Sequence, residues 1–189
     1  MNPHLLTKSY SGRRSQSPRA LTSHGRGFFI RKSEQCDTFR IFRRNTGILD
    51  VCTRKIVGWN FSESLAHEGA LAALTMAVKR QNPRVGLMFH SDRGVQFACQ
   101  HFRARLFAFG FIQSMSRKGN CWDNAPMESF FHTFKTEFVY HEHFRTRTVA
   151  KAAVFEWIEC FYNRTRIHSF IGYKTPVEME DSFMLTKAA

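Results

Sequence analysis

From about Ile48 onward, short apolar runs alternate with longer stretches whose apolar residues recur every three or four positions. This alternation is the strongest constraint on the fold, because strands repeat every two residues and helices every 3.6. ILDVCTRKIVGWNF reads as two short strands around a polar turn at Thr53, Arg54 and Lys55. SESLAHEGALAALTMAVKRQ reads as a helix. Leu71, Leu74 and Val78 keep helical spacing, a serine can cap the start, and Pro83 follows the end. VGLMFHSD is expected to be a buried strand ending in polar residues, and FIQSMS another short strand. Between them, residues 96–109 are expected to form one helix closed by Gly110. A helix begins at Pro126, and a long one is expected over 149–163 after Thr148. Thr175-Pro176-Val177-Glu178 has the form of a capping box with proline at the first helical position. Strands alternating with helices imply an α/β sheet covered by helices.

The front of the chain follows different rules. SYSGRRSQSPRALTSHGRG is rich in Ser, Arg and Gly, and the charges from Arg31 to Arg44 are mostly positive. Residues 1–46 therefore read as a basic, poorly defined arm, either an ordinary solvated tail or a DNA-binding one. Residues 47–189 are left for a folded core with a C-terminal helical extension. The chain has a formal net charge of +13, which suits a polyanionic partner such as nucleic acid. A hydrophobic fraction of 43%, with 20 Phe, is enough to fill a core and argues against wholesale disorder. No apolar run reaches membrane-spanning length, so a soluble protein with no membrane partner is expected. Five cysteines, an odd number with no CxxC pair, suit reduced thiols in a cytoplasm better than a disulfide framework or a zinc site.

Two carboxylates stand at places where chemistry is often built. In GNCWDNAPMESFF, Asn124 or Ala125 caps a helix and Pro126 enters its first turn. Met127, Phe131, Phe134 and Phe138 recur at helical spacing and should face the core, whereas Glu128, His132 and Lys135 share another face. Glu128 either complements the helix dipole or serves as a ligand. Asp92 closes the VGLMFHSD strand, either as a turn-former before Gly94 or as a ligand at a strand's carboxyl end. Together they offer two hard oxygen ligands. Magnesium binds through one or two carboxylates and leaves its other positions to water or substrate phosphates. HEH at 141–143 reads as a polar loop, and His168 beside Ser169 lacks an acidic orienter.

SDRGVQF, SMSRKGNCWDNAPMESFFHTFKTE and YNRTRIHSFIGYKTPVEME together resemble bacterial insertion-sequence transposases of the retroviral-integrase-like type, and more closely their second-reading-frame protein. The resemblance covers about 48–180, and 35 residues separate Asp92 from Glu128, the family's D-35-E spacing. It implies a ribonuclease H-like fold, a mixed five-stranded sheet flanked by helices. It further implies DNA cleavage and strand transfer with Mg²⁺ or Mn²⁺, Asp92 matching the second aspartate of the DDE triad and Glu128 its glutamate. The family's first aspartate lies on a first strand resembling DITYI, and this chain has no such segment ahead of LDVCTRKIVGW. Asp37 in CDTFRIF is the nearby candidate, and using it requires a deletion; Asp50 occupies a family position that is not the first metal ligand. The expectation is a first strand lost to truncation or frameshift, with weak activity in the isolated chain. The alternative is an inactive remnant that still binds DNA or the intact transposase.

Arg93, Arg117, Lys118 and Lys135 are placed to hold phosphates beside the carboxylates. Trp122 either stacks on a base or packs in the core. Arg164 and Arg166 follow the long helix and suit backbone contact with DNA. Expected partners are element ends, target DNA, transposase subunits and a separate helix-turn-helix protein. A basic nucleic-acid-binding protein with no metal chemistry, and a ribonuclease H-type nuclease, are the competing classes.

Overall fold

A computed structural model of the chain describes residues 45–61, 67–117 and 124–188. Strand β1 (Asn45–Leu49) pairs antiparallel with β2 (Ile56–Phe61), as the sequence pattern predicts. Asp50 builds the turn between them. Its carboxylate accepts from the Cys52 N–H and the Thr53 hydroxyl, each at 2.9 Å, and its carbonyl accepts from the Arg54 N–H at 2.8 Å. The turn puts Arg54 at φ 63°, in the left-handed region that side chains other than Gly rarely adopt.

Helix α1 (His67–Gln81) lies directly on β2, with Gly69, Ala70, Ala73, Leu74 and Ala77 buried. The approach is so close that a Cβ at Gly58 would meet the Ala73 carbonyl oxygen at 2.2 Å. Small residues on both sides make this contact possible. The serines expected to cap α1 lie at 62–66, outside the described residues.

Strand β3 (Met88–Ser91) pairs in parallel with β4 (Ile112–Met115). The segment between them forms two helices, α2 (Val95–Ala98) and α3 (Gln100–Ala108), rather than one over 96–109. Cys99 breaks the run by turning to an extended conformation, and Gly110, with φ 72°, ends it as expected. The expectation of a buried β3 is corrected. Met88 is 63% exposed, and of the strand's four residues only Ser91 is buried. Among the described residues β3 has β4 as its single neighbour, so it is not enclosed as a central strand would be. The described strands form two two-stranded sheets, β1-β2 and β3-β4. The predicted arm, including Asp37, lies at 1–44 and so outside the described residues, apart from Asn45 and Thr46 in β1.

Two apolar clusters hold these pieces. Ala70, Leu74, Phe102 and Leu106 form one, and Ile48 from β1 and Phe89 from β3 both pack against it. The other is aromatic. Helix α4 (Ala125–Glu137) contributes Phe130 and Phe134, which meet Trp157 and Tyr162 from the chain after helix α5 (Arg147–Glu156). Phe134 and Trp157 meet edge-on at 5.1 Å between ring centroids, and Phe130 and Tyr162 at 5.0 Å. Each buried aromatic side chain contributes about 1.5–3 kcal/mol. The predicted α4 stripe is right for Phe134 and Phe138, but its centre shifts to Phe130, with Met127 and Phe131 only partly buried beside it. Helix α5 is capped by Thr146, whose hydroxyl accepts from the Val149 N–H at 3.3 Å, rather than by Thr148. Its continuation, Trp157–Tyr162, widens into a π-helical turn. Helix α6 (Pro176–Ala188) opens with the predicted capping box. The Thr175 N–H donates to Glu178 at 2.8 Å, and the Glu178 N–H donates to the Thr175 hydroxyl at 3.2 Å. Among the described residues no helix is long and apolar enough to cross a membrane.

Asn163, 1% exposed, joins the strands to the C-terminal helices. Its Oδ1 accepts from the Ile56 N–H at 2.9 Å and its Nδ2 donates to the Ile56 carbonyl at 3.0 Å. Replacing it with alanine orphans two buried backbone groups. Asn163→Ala is expected to cost about 2–4 kcal/mol. Thermal denaturation should show a Tm fall of roughly 5–15 °C; an unchanged Tm would remove this bond pair from the account of stability.

Candidate functional site

Asp92 follows the last residue of β3, at the carboxyl end of a parallel strand pair. Its side chain is exposed, and its Oδ1 accepts from the Gly94 N–H at 2.9 Å. This small ring fixes the carboxylate against the chain, so Asp92 fills the turn-forming role while Oδ2 stays open to solvent. A Cβ at Gly94 would lie 2.8 Å from Oδ1 and between the Gln96 amide atoms. Any larger residue at 94 would therefore displace the carboxylate.

Glu128 stands in the first turn of α4, exposed, and its carboxylate has no hydrogen bond or ion pair among the described residues. Pro126 sits at the helix start as expected, but the Asn124 side chain makes no capping hydrogen bond. His132 and Lys135 are exposed along with Glu128, so the predicted shared face holds. Among the described residues, no group of three or more His, Cys, Asp or Glu side chains is gathered closely enough to hold a metal ion. Among the described residues, neither Asp92 nor Glu128 belongs to such a group, and each is a hard oxygen donor. Their chemistry suits a divalent ion that keeps water or phosphate oxygens in its remaining positions. Asp50 is unsuited to such a role, since its carboxylate is consumed by the β1–β2 turn.

The basic residues divide by what they touch. Arg93 turns back to donate from Nε to the Ser116 carbonyl at 2.9 Å, tying the ends of β3 and β4 together. Arg117 lies exposed just beyond β4, and Arg164 is exposed after the π-helical turn. Lys118 and Trp122 lie outside the described residues. Arg166 is committed elsewhere. Its Nε and Nη2 grip both oxygens of Glu137 at 2.8 and 2.7 Å. His90 is held by the hydroxyls of Ser114 and Ser116 at 3.0 and 3.3 Å. Asn163, which the sequence pattern did not single out for a site, proves to be a structural centre.

Around Arg166 the electrostatics are marked. Its hydrogen bonds hold the Glu137 carboxyl below its ordinary range, and Glu137 in turn raises the Arg166 guanidinium. Burial pushes the Tyr162 hydroxyl up to about 12. His168 is pushed down to about 4, first by burial and then by the charges of Arg166 and Arg54. A base depressed in the folded state takes up its proton first in the unfolded chain. Stability from His168 is therefore complete above the ordinary histidine value near 6.5 and drains away as pH falls toward about 4. The Tm of the wild-type chain should fall across that window, and His168→Gln should flatten the slope. An imidazole NMR signal for His168 that titrates at its ordinary value would contradict this.

Two family models described as Integrase core domain match residues 35–121 and 128–183. The chain is 40% identical over 132 residues to the transposase for insertion sequence element IS904 of Lactococcus lactis subsp. lactis, covering 70% of this chain and 52% of that one. It is 44% identical over 137 residues to the insertion element IS600 31 kDa protein of Shigella sonnei, covering 72% and 50%. With transposase InsF for insertion sequence IS3A of Escherichia coli K12 it shares 41% over 135 residues, covering 71% and 46%. The chain thus spans about half the length of the curated relatives it matches. Among solved structures, the catalytic core domain of BIV integrase superposes with a TM-score of 0.55 at 17% identity, covering 75% of this chain and 87% of that one. A chain of the simian T-cell lymphotropic virus intasome gives 0.55 at 13% identity, covering 69% and 45%. The mixed strand–helix architecture is accordingly ribonuclease H-like, and the chain belongs to the integrase-core family, with similarity to insertion-sequence transposases over about 70% of its length.

Proposed function

We propose that this chain carries the catalytic core of a DNA transposase that cuts and joins strands with Mg²⁺ or Mn²⁺ held by Asp92 and Glu128. The supporting observation is where these carboxylates stand. One closes a parallel strand and the other opens a helix, both are exposed, and neither is paired with a cation among the described residues, within two integrase-core matches. When bound, the ion supplies electrophilic stabilisation to a phosphodiester undergoing displacement. The residues do the rest. The Gly94 N–H orients Asp92 through Oδ1, leaving Oδ2 for the ion. The first turn of α4 holds the backbone of Glu128, so little freedom remains to be lost on binding.

Arg93, Arg117, Lys118, Lys135 and Arg164 supply positive charge for phosphates, and Trp122 a stacking surface. Arg166 contributes mainly through Glu137, because its fork is occupied. The residues ahead of β1 act as a basic arm, and those from β1 onward as the core with its helical extension. The substrates are element ends and target DNA in a bacterial cytoplasm, with further transposase subunits and a helix-turn-helix protein as partners.

The test is a nicking and strand-transfer assay on element-end DNA with Mg²⁺ or Mn²⁺. Asp92→Asn and Glu128→Gln should each lower activity by more than the roughly 10–100-fold that loss of an outer-shell partner costs. Their Tm should stay close to wild type, since both side chains are exposed. Equal cutting by all three proteins would end the metal reading. DNA binding by all three with cutting by none would identify an inactive core.

A further inference from the structure

A cavity of about 550 Å³ opens between the β1–β2 turn, one face of α4 and the loop that follows the π-helical turn. Arg54, Ser129, Thr133, His168, Phe170 and Tyr173 line it. The volume lies in the range that small ligands occupy. Among the described residues, neither Asp92 nor Glu128 lines it. At 100° per residue, Ser129 and Thr133 lie on a face of α4 roughly 100° or more from Glu128.

Its charge is unbalanced. Arg166, on the wall, is neutralised by both oxygens of Glu137. The Arg54 guanidinium makes no hydrogen bond or ion pair among the described residues, and its Nε is buried without a partner. A cation held partly out of water with no counter-charge is costly, and an anion entering the cavity would supply one. The chain directs Arg54 there deliberately. Asp50 forces its backbone to φ 63°, while Lys55 and Ile56 beside it are anchored to Glu180 and Asn163.

Beside this charge stand aromatic surfaces. The Arg54 guanidinium lies 3.8 Å from the Phe170 ring centroid, with Phe170 70% exposed and Tyr173 71% exposed. Duplex backbone alone would use the charge and leave the exposed ring surface of Phe170 and Tyr173 uncovered. A base has a face that stacks on either ring, and its phosphate matches a guanidinium. We propose that this cavity receives one unpaired nucleotide of a DNA strand, its phosphate on Arg54 and its base against Phe170 and Tyr173. The assignment rests on the reading that the chain handles DNA, but not on the metal chemistry.

The test measures anisotropy of an end-labelled thymidine hexanucleotide with the full chain in EDTA at low salt. Arg54→Asn removes the cation while placing at φ 63° a residue that tolerates left-handed backbone, so its Tm should match or exceed wild type. Arg54→Asn and Phe170→Ala should each weaken hexanucleotide binding by about tenfold, and an abasic hexanucleotide should bind wild type about tenfold more weakly. Phe170→Ala should leave binding of a blunt duplex nearly unchanged. Wild-type affinity in both variants, or equal affinity for the abasic strand, overturns the nucleotide site while leaving DNA binding intact. A wild-type chain that binds neither strand nor duplex overturns the DNA reading as well. Displacement of the hexanucleotide by inorganic phosphate alone at equal concentration would reduce the site to an anion hole and also overturn the proposal.

Discussion

One side-chain amide bonds to both polar backbone groups of a residue 107 positions away, and the two parts of the core depend on it. Asn163 gives Ile56 the hydrogen bonds that a neighbouring strand would otherwise give. The donor and acceptor requirements of Ile56 also fix which way the amide faces. The backbone of Asn163 is engaged too. Its N–H reaches the Ile158 carbonyl at 3.0 Å, five residues back, and its carbonyl accepts from Val177 at the start of α6. Strand β2, the π-helical turn and α6 therefore meet at one buried residue. Nearby contacts reinforce the junction: Lys55 pairs with Glu180, and Trp59 and Arg80 share one oxygen of Glu159 at 2.9 and 2.6 Å. These are partly exposed, and such pairs contribute about 1 kcal/mol or less each. The buried amide decides the register, because leaving its partners unpaired costs more than any surface ion pair returns.

The widened turn explains how a helix end can meet a strand edge. An ordinary α-helical continuation would bond Asn163 to Glu159, four residues back. The five-residue bond shifts Asn163 around the axis, while Trp157, Ile158 and Tyr162 stay buried in the aromatic cluster. The same anchoring fixes the neighbouring turn. With Ile56 and Lys55 tied down and Asp50 holding the other side, Arg54 keeps a backbone conformation that costs of order 1–3 kcal/mol on its own. The surrounding bonds offset it.

Much of this was legible in the chain. The β1–β2 hairpin, the helix after it, the Gly110 stop and the Thr175–Glu178 capping box all follow from local chemistry, which acts within a few residues of sequence. The ribonuclease H-like fold followed from long ordered motifs. What failed depends on distant partners. VGLMFHSD looks buried because it is apolar, yet exposure is set by neighbours that an apolar run does not specify. Cys99 breaks a helix that no Gly or Pro marks. Phe130 takes the centre of the α4 stripe because Trp157 and Tyr162 lie opposite it, a contact spanning many residues. Arg166 reads as a free cation until Glu137, on another helix, is seen in its grip. For the candidate site, Asp92 and Glu128 were drawn from a strand end, a helix start and the family resemblance, and both side chains are exposed. The Asx turn that aims Asp92 was implicit in SDRG.

Helix α4 is where these threads converge. Its buried face, through Phe130 and Phe134, is fixed by the aromatic cluster, so its remaining faces cannot rotate independently. One presents Glu128 to solvent; another, through Ser129 and Thr133, walls the cavity beneath Arg54. A change that shifts α4 along β1 must move both together. Met127 on α4 packs against Gly47 of β1, where a Cβ would meet its Cε at 2.7 Å. On the proposed reading, a DNA strand that seats a nucleotide in the cavity is therefore positioned against a carboxylate on the same rigid element. The spacing between the two is set by helix geometry and not by a flexible loop, which is the condition under which binding in one place can orient chemistry in the other.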